Sequence, residues 1–355
     1  MNRARSFSLL APLCLLALLG AGCFGTTSKT ATGPDGGIFV TNDLGTKWGQ
    51  LTLLNLDTKL GSIADVGSVS ATFDPQDPAT FYVGTTQNGL MYSLNSGQSW
   101  QLSRGLSIGK VNAVAVDAKN KCIVYAARAN QINKTTSCGR EWNEVYAHAK
   151  SDVLITSLIS DWFKPEIVYA GTSQGDILRS DDGAAHWRVI NRVDGARINN
   201  IVLDPHDSRA IYVATQGAGV LKSVDGGANW MGYDRQQFQE FPNARSPHGV
   251  FLDPSVHDRV YHISKYGILR SEDGGLSWKP LTLPTPPGEV DIKVFTINPK
   301  NPNMIVYASQ TALVVSSDAG ATWASRKLPT KREVSWLVFD TTNPQSLFVG
   351  TAAAK

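Results

Sequence analysis

Short runs rich in apolar and β-branched residues recur along the chain from about residue 37, and each has the length of a β-strand. Ile198–Leu203 and Ala210–Thr215 form one such pair, separated by an Asp-Pro turn. Apolar runs of four to eight residues bounded by turn residues are typical of strands. No helical period extends far enough to predict a helix here. The pattern therefore predicts an all-β fold.

An eight-residue turn motif sets the period of the chain. It reads Ser or Thr, any, Asp, any, Gly, any, any, Trp, and its seven copies end at tryptophans 42 to 52 residues apart. The hydroxyl and carboxylate can bond backbone groups within a tight turn, Gly adopts positive φ, and Trp is a large apolar anchor. A period in this range predicts a β-propeller. The copies are Thr41–Trp48, Ser93–Trp100, Thr135–Trp142, Ser180–Trp187, Ser223–Trp230, Ser271–Trp278 and Ser316–Trp323.

The residues expected to build these turns are structural. Asn95 and Ser137 stand where the motif has Asp, and Ala184 stands where it has Gly, so we expect those turns to form with poorer internal bonding. The remaining positions are Asp43, Trp48, Trp100, Trp142, Asp182, Trp187, Asp225, Trp230, Asp273, Trp278, Asp318 and Trp323.

The two ends of the repeat region each hold half a repeat. An internal repeat has the order strand A, strand B, strand C, turn motif, strand D. The first half-repeat supplies only strands C and D, from Gly37–Thr41 and Gln50–Leu54, and the last supplies only A and B, from Val334–Phe339 and Ser346–Thr351. We therefore predict a seven-bladed propeller in residues 37–355 whose N-terminal C and D strands join the C-terminal A and B strands. Closure would remove exposed strand edges.

The turn motif resembles the Asp-box, or BNR repeat, over residues 36–355. In repeat text the chain is similar to xyloglucanases and sortilin-type propellers, for example at Ile211–Thr215 followed by Lys222–Gly227. Xyloglucanases cleave between two propellers with opposed carboxylates, and a single ring offers no second propeller for such a cleft. Sialidases also carry Asp-boxes, but their Phe/Tyr-Arg-Ile-Pro motif is absent here and their blade number differs.

A lipid-anchored, seven-bladed Asp-box protein also resembles the photosystem II stability/assembly factor family. That resemblance implies a membrane-associated chaperone that binds a newly made reaction-centre subunit through a patch of arginines. Here the connections from strand D to the next strand A carry both arginines and acidic residues. The arginines are Arg192, Arg197, Arg235, Arg245, Arg326 and Arg332.

The N-terminal segment has the features of a lipoprotein leader. Residues 1–22 contain Arg3 and Arg5 followed by an apolar run, which is typical of a secretory signal, and Cys23 ends a sequence similar to a bacterial lipobox. We expect lipid on Cys23 and a flexible tether over residues 23–36. Ordinary secretion with Cys23 unmodified is the alternative. The expected location is the extracytoplasmic face of a membrane, periplasmic or at the cell surface.

Composition and charge narrow the function. The 355 residues are 42% hydrophobic and 18% charged, which suits a large folded core. The net charge is +3, and two of the basic side chains, Arg3 and Arg5, lie in the predicted leader. The rest of the chain is nearly neutral, which argues against a nucleic-acid partner.

Two cysteines remain in the predicted propeller. Cys122 and Cys138 lie at equal distances from a hairpin turn near Asn130, so antiparallel pairing places them side by side. Outside the cytoplasm this favours a disulfide, with two free thiols as the alternative. The six histidines show no metal-ligand spacing, so the sequence predicts no metal and no cofactor.

Two regions are candidates for binding. The long connection Met231–Pro247 carries aromatics and arginines that we expect to be exposed and to bind a protein partner, or else to cover the channel mouth. Its candidates are Tyr233, Arg235, Phe238, Phe241 and Arg245. Alignment of the A strands also places a polar ring at the channel mouth, able to bind a small polar ligand or a peptide tail, or simply filled with water. That ring comprises Asn112, Thr156, Asn199, His248, Lys293 and Ser335.

The sequence therefore predicts a monomeric, non-enzymatic propeller that is anchored to a membrane and serves as a protein-interaction or assembly module. Two alternatives remain. One is a chaperone like the photosystem II assembly factors, and the other is a glycan-binding or glycoside-hydrolase-like propeller.

Overall fold

The computed structural model describes residues 35–56, 58–232 and 238–354. The predicted leader, Cys23, most of the tether, Tyr233 and Arg235 lie outside these ranges. Every regular element in the described ranges is a β-strand. No helix there has the length and apolar content needed to cross a membrane.

Thirty strands form seven four-stranded sheets, the blades, and one additional hairpin. In chain order they are β1 (Ile38–Thr41), β2 (Gly49–Leu51), β3 (Leu53–Leu56), β4 (Lys59–Ser62), β5 (Ser68–Phe73), β6 (Phe81–Thr85), β7 (Leu90–Ser93), β8 (Gln101–Leu102), β9 (Val111–Val116), β10 (Val124–Arg128), β11 (Gln131–Thr135), β12 (Asn143–Ala147), β13 (Ile155–Ser160), β14 (Val168–Thr172), β15 (Asp176–Ser180), β16 (Arg188–Arg192), β17 (Ile198–Leu203), β18 (Ile211–Thr215), β19 (Gly219–Ser223), β20 (Met231–Gly232), β21 (Gly249–Leu252), β22 (Val260–Ser264), β23 (Gly267–Ser271), β24 (Lys279–Pro280), β25 (Val294–Asn298), β26 (Asn301–Ala308), β27 (Ala312–Ser316), β28 (Ala324–Lys327), β29 (Val334–Phe339) and β30 (Leu347–Thr351).

Blade 1 is built from both ends of the repeat region and closes the ring. Its strand order is β29-β30-β1-β2, and β1 pairs with β30 in antiparallel fashion. Ile38 lies opposite Gly350, and Thr41 lies opposite Leu347. Blades 2 to 7 follow in chain order as β5–β8, β9–β12, β13–β16, β17–β20, β21–β24 and β25–β28. The prediction of a seven-bladed ring with a composite blade is confirmed.

The hydrophobic core is divided among the seven interfaces between neighbouring blades. Each of the seven core clusters combines side chains from two adjacent blades. Between blades 4 and 5, for example, Tyr169 and Ile177 pack with Ile198, Ile211 and Leu221. Strand alternation explains this arrangement, because each blade has two apolar faces and a neighbour covers each of them.

The Asp-box turns use their polar side chains for internal hydrogen bonds. In the blade 6 copy, Ser271 Oγ accepts hydrogen bonds from the N–H groups of Asp273 and Gly275 at 3.2 and 2.7 Å and donates to Asp273 Oδ1 at 2.7 Å. Asp273 Oδ1 also accepts the N–H of Ser277 at 2.9 Å. In three other copies, hydrogen bonds from the residue four positions later help to hold the pKa of the Asp at about 2; these are Asp182, Asp225 and Asp318.

The departures from the motif are accommodated in different ways. Asn95 accepts the N–H of Ser99 at 2.9 Å, as an Asp would, so the expected loss of bonding does not occur there. Ser137 lies 3.3 Å from the Thr135 hydroxyl, which is longer than the corresponding bonds to Asp. Ala184 adopts a φ of 73°, in the left-handed region that the motif normally fills with Gly.

A hairpin that the sequence did not predict lies between blades 1 and 2. It consists of β3 and β4, and β3 extends the outer edge of blade 2 through the buried Trp100. The N–H of Asn55 donates to the Trp100 carbonyl, and the N–H of Trp100 donates to the Leu53 carbonyl, both at 2.8 Å. The interval between Trp48 and Trp100 is the longest of the six, which is the one trace of this insertion in the sequence.

Cys122 and Cys138 form a disulfide, as their positions on the hairpin predict. The bond joins the turn before β10 to the Asp-box of the same blade, and the Cys138 N–H also donates to the Cys122 carbonyl at 3.2 Å. It therefore fixes the outer end of blade 3.

Substitution of Gly227 by Ala should test the demand of the Asp-box for positive φ. Gly227 has a φ of 90°, and an added Cβ would lie 2.5 Å from Ile190 Cδ1. We expect Gly227→Ala to lower the free energy of unfolding by about 1–3 kcal/mol, measured by denaturant titration. The control is Gly49→Ala, since its Cβ would meet no atom closer than 3.6 Å. Equal unfolding midpoints for the two variants would contradict the account.

Candidate functional site at the channel mouth

A β-bulge repeats near the start of the A strands, which line the central channel. The register shifts by one residue at this level in blades 1 to 5. The extra residues include Asn112, Thr156, Asn199 and Ser335, and Val69 takes the same place in blade 2. His248 and Lys293 directly precede β21 and β25 at the equivalent level. The structure thus brings the predicted polar ring together.

The side chains of this ring reach to the next blade. Asn112 Nδ2 donates to the Ile155 carbonyl at 3.0 Å, and Thr156 Oγ1 donates to the Ile198 carbonyl at 2.7 Å. Asn199 Nδ2 donates to the Pro247 carbonyl at 2.7 Å. These hydrogen bonds join neighbouring blades, so these three ring members have a structural role that the alignment alone did not indicate.

The other members of the ring, His248, Lys293 and Ser335, also bridge blades. His248 Nε2 lies 2.6 Å from Asp291 Oδ1, and Lys293 Nζ lies 2.7 Å from Glu333 Oε1. The hydrogen bond to Glu333 raises the pKa of Lys293. Ser335 Oγ lies 3.3 Å from the hydroxyl of Ser68 in blade 2. Six of the seven interfaces therefore carry one such bridge, and apolar Val69 leaves the interface of blades 2 and 3 without one.

Two cations stand at the entrance to this ring: Arg197, one of the arginines named from the sequence, and Lys110, which the sequence did not select. Lys110 and Arg197 each lie two residues before a bulge residue, at the level that holds Asp291 and Glu333 on the other side of the mouth. Burial lowers the pKa of both side chains, and repulsion by Arg197 lowers that of Lys110 further. Neither side chain forms an ion pair with any described residue, whereas Asp291 and Glu333 are paired with His248 and Lys293.

The remaining arginines of this face differ from these two. Arg192 is paired with the buried Asp176, and Arg332 bonds both Asp35 and Asp65. Arg245 is exposed, and its guanidinium donates to the Gly217 carbonyl at 3.4 Å. Arg326 is exposed on β28 and donates to the Ser325 carbonyl at 3.3 Å. Among the arginines of these connections that the structure describes, Arg197 is thus the one that is partly buried without a bonding partner.

The described part of the long connection after β20, from Phe238 onward, is packed against the body. The expectation of an exposed aromatic surface is wrong for Phe238, which is 3% exposed and lies in the core cluster between blades 5 and 6. Its ring centroid is 6.0 Å from that of Trp278, and Phe241 packs 5.3 Å from Tyr266. The physical reason is the two-residue length of β20, which leaves the Asp-box Trp278 to be covered by Phe238. A role for the exposed Arg245 in partner binding stays a prediction.

A buried histidine ties this connection to blade 6. The His262 ring lies 5.1 Å from Phe238, and its Nε2 lies 2.8 Å from the Ala244 carbonyl, which it can reach only as a donor. Its Nδ1 is buried without a hydrogen-bond partner. Burial lowers the pKa of His262 to about 4, so the neutral ring is the form that fits this site.

One group of possible metal ligands lies at the opposite face, although the sequence predicts none. Asp204, His257 and Asp258 each offer one ligand atom, and these atoms lie within 4.8 Å of one another at the interface of blades 5 and 6. Lys222 lies close enough to be attracted by Asp204 and Asp258. A positive charge is therefore already present beside these carboxylates, which weakens the case for a metal ion there.

Comparisons with known proteins agree with the fold. No protein-family model and no curated protein sequence matches this chain. Among solved structures, it is similar to the GH74 xyloglucanase from Xanthomonas campestris, with a TM-score of 0.66 and 16% identity over 82% of this chain and 51% of that one. The GH74 enzyme from Niastella koreensis gives 0.62 and 16%, over 81% and 53%. The chain spans about half the length of these enzymes.

The photosystem II assembly factor YCF48 is similar over nearly its whole length. The structure of YCF48 bound to D1 peptide gives a TM-score of 0.63 and 17% identity over 81% of this chain and 93% of that one. YCF48 from Cyanidioschyzon merolae gives 0.63 and 13%, over 81% and 96%. Both resemblances inferred from the repeat are therefore found at the level of fold. At these identities they show the propeller and leave the function open.

Truncation of Phe238 should destabilise the protein. Phe238→Ala would remove a buried ring and expose Trp278, and large-to-small changes of this kind cost about 3–5 kcal/mol. We expect a clear drop in thermal midpoint in a calorimetric scan. Glu240→Ala, an exposed position in the same connection, should leave the midpoint nearly unchanged. An unchanged thermal midpoint in Phe238→Ala would contradict the burial of this side chain and would agree with the exposed position that the sequence predicted.

Acidification should weaken the same region. The pKa of His262 falls from 6.5 in a free side chain to about 4 in the fold, so the unfolded state binds more protons between these values. Its contribution is therefore fully present above pH 6.5 and is lost as the pH falls towards 4. His262→Phe should show a flatter decline in unfolding free energy over this range, whereas His206→Gln, at an exposed site, should keep the wild-type slope. Identical slopes in all three proteins would exclude His262 as the cause.

Proposed function

We propose that this chain is a non-enzymatic binding module, held at the extracytoplasmic face of a membrane by lipid on Cys23. The channel mouth binds an anionic segment of a protein partner. The observation that carries the proposal is the pair Lys110 and Arg197, two cations with no bonding partner among the described residues. Arg197 is half-buried and Lys110 is exposed at the rim of the mouth, and two neighbouring cations without a counter-charge favour a ligand that supplies one.

The shape of the entrance suits an extended chain more than a compact ion. The A strands of all seven blades surround it, and the bulge residues place carbonyls and polar side chains in a ring below the two cations. A carboxylate at a chain end or on an acidic side chain could bond Lys110 and Arg197 while neighbouring peptide groups meet that ring.

The Asp-box carboxylates support a binding role over a catalytic one. Asp182, Asp225 and Asp318 are held as anions by their turn hydrogen bonds, with pKa values of about 2, so they are unsuited to donate a proton near neutral pH. Bond cleavage by a pair of carboxylates needs one of them to be protonated.

The similarity to YCF48 favours a more specific version of the proposal. One of those structures is bound to D1 peptide, and the chain covers 93% of its length. A role as an assembly chaperone like YCF48 is therefore the second candidate. Its test is the source organism, since this role requires a photosynthetic host.

Removal of the two cations should weaken partner capture without unfolding the propeller. With a photocrosslinking residue on the neighbouring Leu154, we expect the wild-type chain to capture a protein in its own cells and Lys110→Ala with Arg197→Ala to lose most of that yield. The thermal midpoint should stay equal or rise, because two like charges are removed. Capture should also weaken as salt is increased.

The matched control removes the same charge from the outer strands. Lys279→Ala with Lys327→Ala changes two exposed lysines on β24 and β28 and should leave crosslinking unaltered. Equal loss in both double variants would mean that net charge alone matters. A polysaccharide screen provides the opposing result, since release of reducing ends by the purified chain would overturn the non-enzymatic proposal.

A further inference from the structure

A second repeated contact joins the blades at the face that carries the Asp-boxes, opposite the channel mouth. In blades 3 to 6 the last residue of strand C before the box is a Lys or Arg, and it lies opposite a Tyr of strand B. Its cationic group donates to the carbonyl of the fourth residue in the next blade's box. The donors and acceptors are Lys134 to Gly183, Arg179 to Gly226, Lys222 to Gly274 and Arg270 to Ala319.

Blade 5 shows the chemistry of this contact. Lys222 Nζ donates to the Gly274 carbonyl at 2.9 Å and lies 5.0 Å from the centre of the Tyr212 ring. It is also attracted by Asp258 of the next blade and by Asp204, the first residue of the turn between strands A and B. The cation thus meets an aromatic face, a carbonyl and a buried carboxylate at once.

Blade 2 keeps the tyrosine, the turn carboxylate and the box carbonyl of these surroundings and lacks the cation. Tyr82 occupies the place of Tyr212, Asp74 that of Asp204, and Cys138 that of Gly274 in the box of blade 3. Tyr92 stands where blades 3 to 6 have Lys or Arg. Its hydroxyl donates to Gln101 Oε1 at 2.9 Å, on strand D of its own blade.

The carboxylate left behind is buried and incompletely bonded. Asp74 is 1% exposed, and its Oδ1 accepts the N–H groups of Gln76 and Asp77 at 2.8 and 3.3 Å. Its Oδ2 is buried with no hydrogen-bond partner. Among the seven Asx residues of these turns, all within the described chain, it is the one with such an oxygen. Burial raises the pKa of Asp74, and the attraction to the exposed Lys121 does not offset this effect.

Blade 7 shows how the fold manages without a cation. The strand C position there is Val315, opposite Val306, and the turn residue is the neutral Asn298. Asn298 Nδ2 donates to the Pro344 carbonyl at 2.6 Å, so no buried charge is left. Blade 1 combines Val40 and Phe348 with Asp340, whose Oδ1 accepts the Thr342 hydroxyl at 2.7 Å. Blade 2 therefore differs from both.

A cavity opens at this place. It has a volume of about 260 Å³ and lies between blades 2 and 3. Its walls include Asp74, Tyr82, Tyr92, Leu94 and Cys138. The two tyrosine rings are 6.2 Å apart. Lys121 also lines it, but that side chain is exposed, lies 3.4 Å from Asp77 Oδ2 and forms no hydrogen bond with Asp74.

We propose that this cavity binds a primary ammonium or guanidinium group, placed where blades 3 to 6 put their own Lys or Arg. The group comes either from a free alkylamine or from a Lys or Arg side chain of a partner protein. Tyr82 and Tyr92 provide the aromatic surface, the Cys138 carbonyl accepts a hydrogen bond, and Asp74 supplies the compensating charge. This site is separate from the anionic-ligand site at the channel mouth.

The first test is direct binding to the full chain. Butylammonium and methylguanidinium, followed by ligand-observed NMR, should bind saturably, whereas neutral n-butanol should bind at least tenfold more weakly. Asp74→Asn should also reduce butylammonium affinity at least tenfold, and Asn298 shows that this fold accommodates Asn at the position. Equal binding of butanol and butylammonium, or no saturable amine binding, would overturn the proposal.

The second test supplies the cation internally. Tyr92→Lys copies Lys222, so it should abolish butylammonium binding and raise the thermal midpoint. Val315→Lys places the same side chain in blade 7 beside the neutral Asn298 and should lower the midpoint. If Tyr92→Lys lowers the thermal midpoint as much as Val315→Lys does, a cation beside Asp74 is not stabilising and the proposal fails.

The two sources of the ligand are distinguished by a third comparison. The third ligand is a peptide with blocked ends whose single lysine is its only charged group. If it binds at least tenfold more tightly than butylammonium, the site is assigned to a partner's side chain. Equal affinities would assign it to free amines. Either result supports the proposal only if binding of that ligand is lost in Asp74→Asn and in Tyr92→Lys. If these variants keep the binding, the proposed site is rejected.

Discussion

The whole structure depends on the hydrogen bonds between β1 and β30. Each blade has two apolar faces, and only its neighbours can cover them, so an open row of blades would leave two faces exposed. The pairing of Ile38 with Gly350 and of Thr41 with Leu347 converts the row into a ring. After closure every core cluster lies between two blades, and the cluster of Phe39 with Val294 and Leu337 exists only because the two ends meet.

This constraint also determines what the polar residues do. A blade interface is apolar in its middle, so the buried polar groups are found at its two ends, where each must find a partner. At one end the bulge residues bond the next A strand, and at the other the strand C cations bond the next Asp-box. Most side chains that look available for chemistry in the sequence are used in this way. The exceptions are Lys110, Arg197 and Asp74, which lack the partners that polar groups have elsewhere in the repeat, and for this reason we propose binding sites at them.

The sequence was sufficient for the architecture because the repeat is long and regular. The Asp-boxes fixed the blade number, the half-repeats at the ends implied closure, and hairpin symmetry paired Cys122 with Cys138. What it could not predict depends on contacts between blades. Phe238 lies in a segment with no strand pattern, and its burial follows from the neighbouring blade's Trp278 and the short β20. The extra hairpin β3–β4 lacks the turn motif that marks the other elements.

The candidate sites were predicted less well for the same reason. The alignment located the polar ring correctly along the A strands, but it could not show that Asn112 and Asn199 bond the next blade. Lys110 is unremarkable in sequence, since an exposed lysine before a strand is common. Its place opposite Asp291 and beside Arg197 arises only when the ring is closed, and so does the charge imbalance of the mouth.

The two proposed sites lie at opposite ends of the blade interfaces and have opposite charge. The channel mouth has unpaired cations, and the cavity between blades 2 and 3 has an unpaired carboxylate. The interface of blades 2 and 3 is also the one where Val69 replaces a bridging side chain at the mouth. Both repeated contacts are therefore missing from the same interface, which is held by its apolar cluster around Leu90 and Val114, by the Lys121–Asp77 ion pair and by the hydrogen bond from Trp142 Nε1 to Ser103 Oγ. An interface relieved of these two contacts can be modified for binding while the other six maintain the ring.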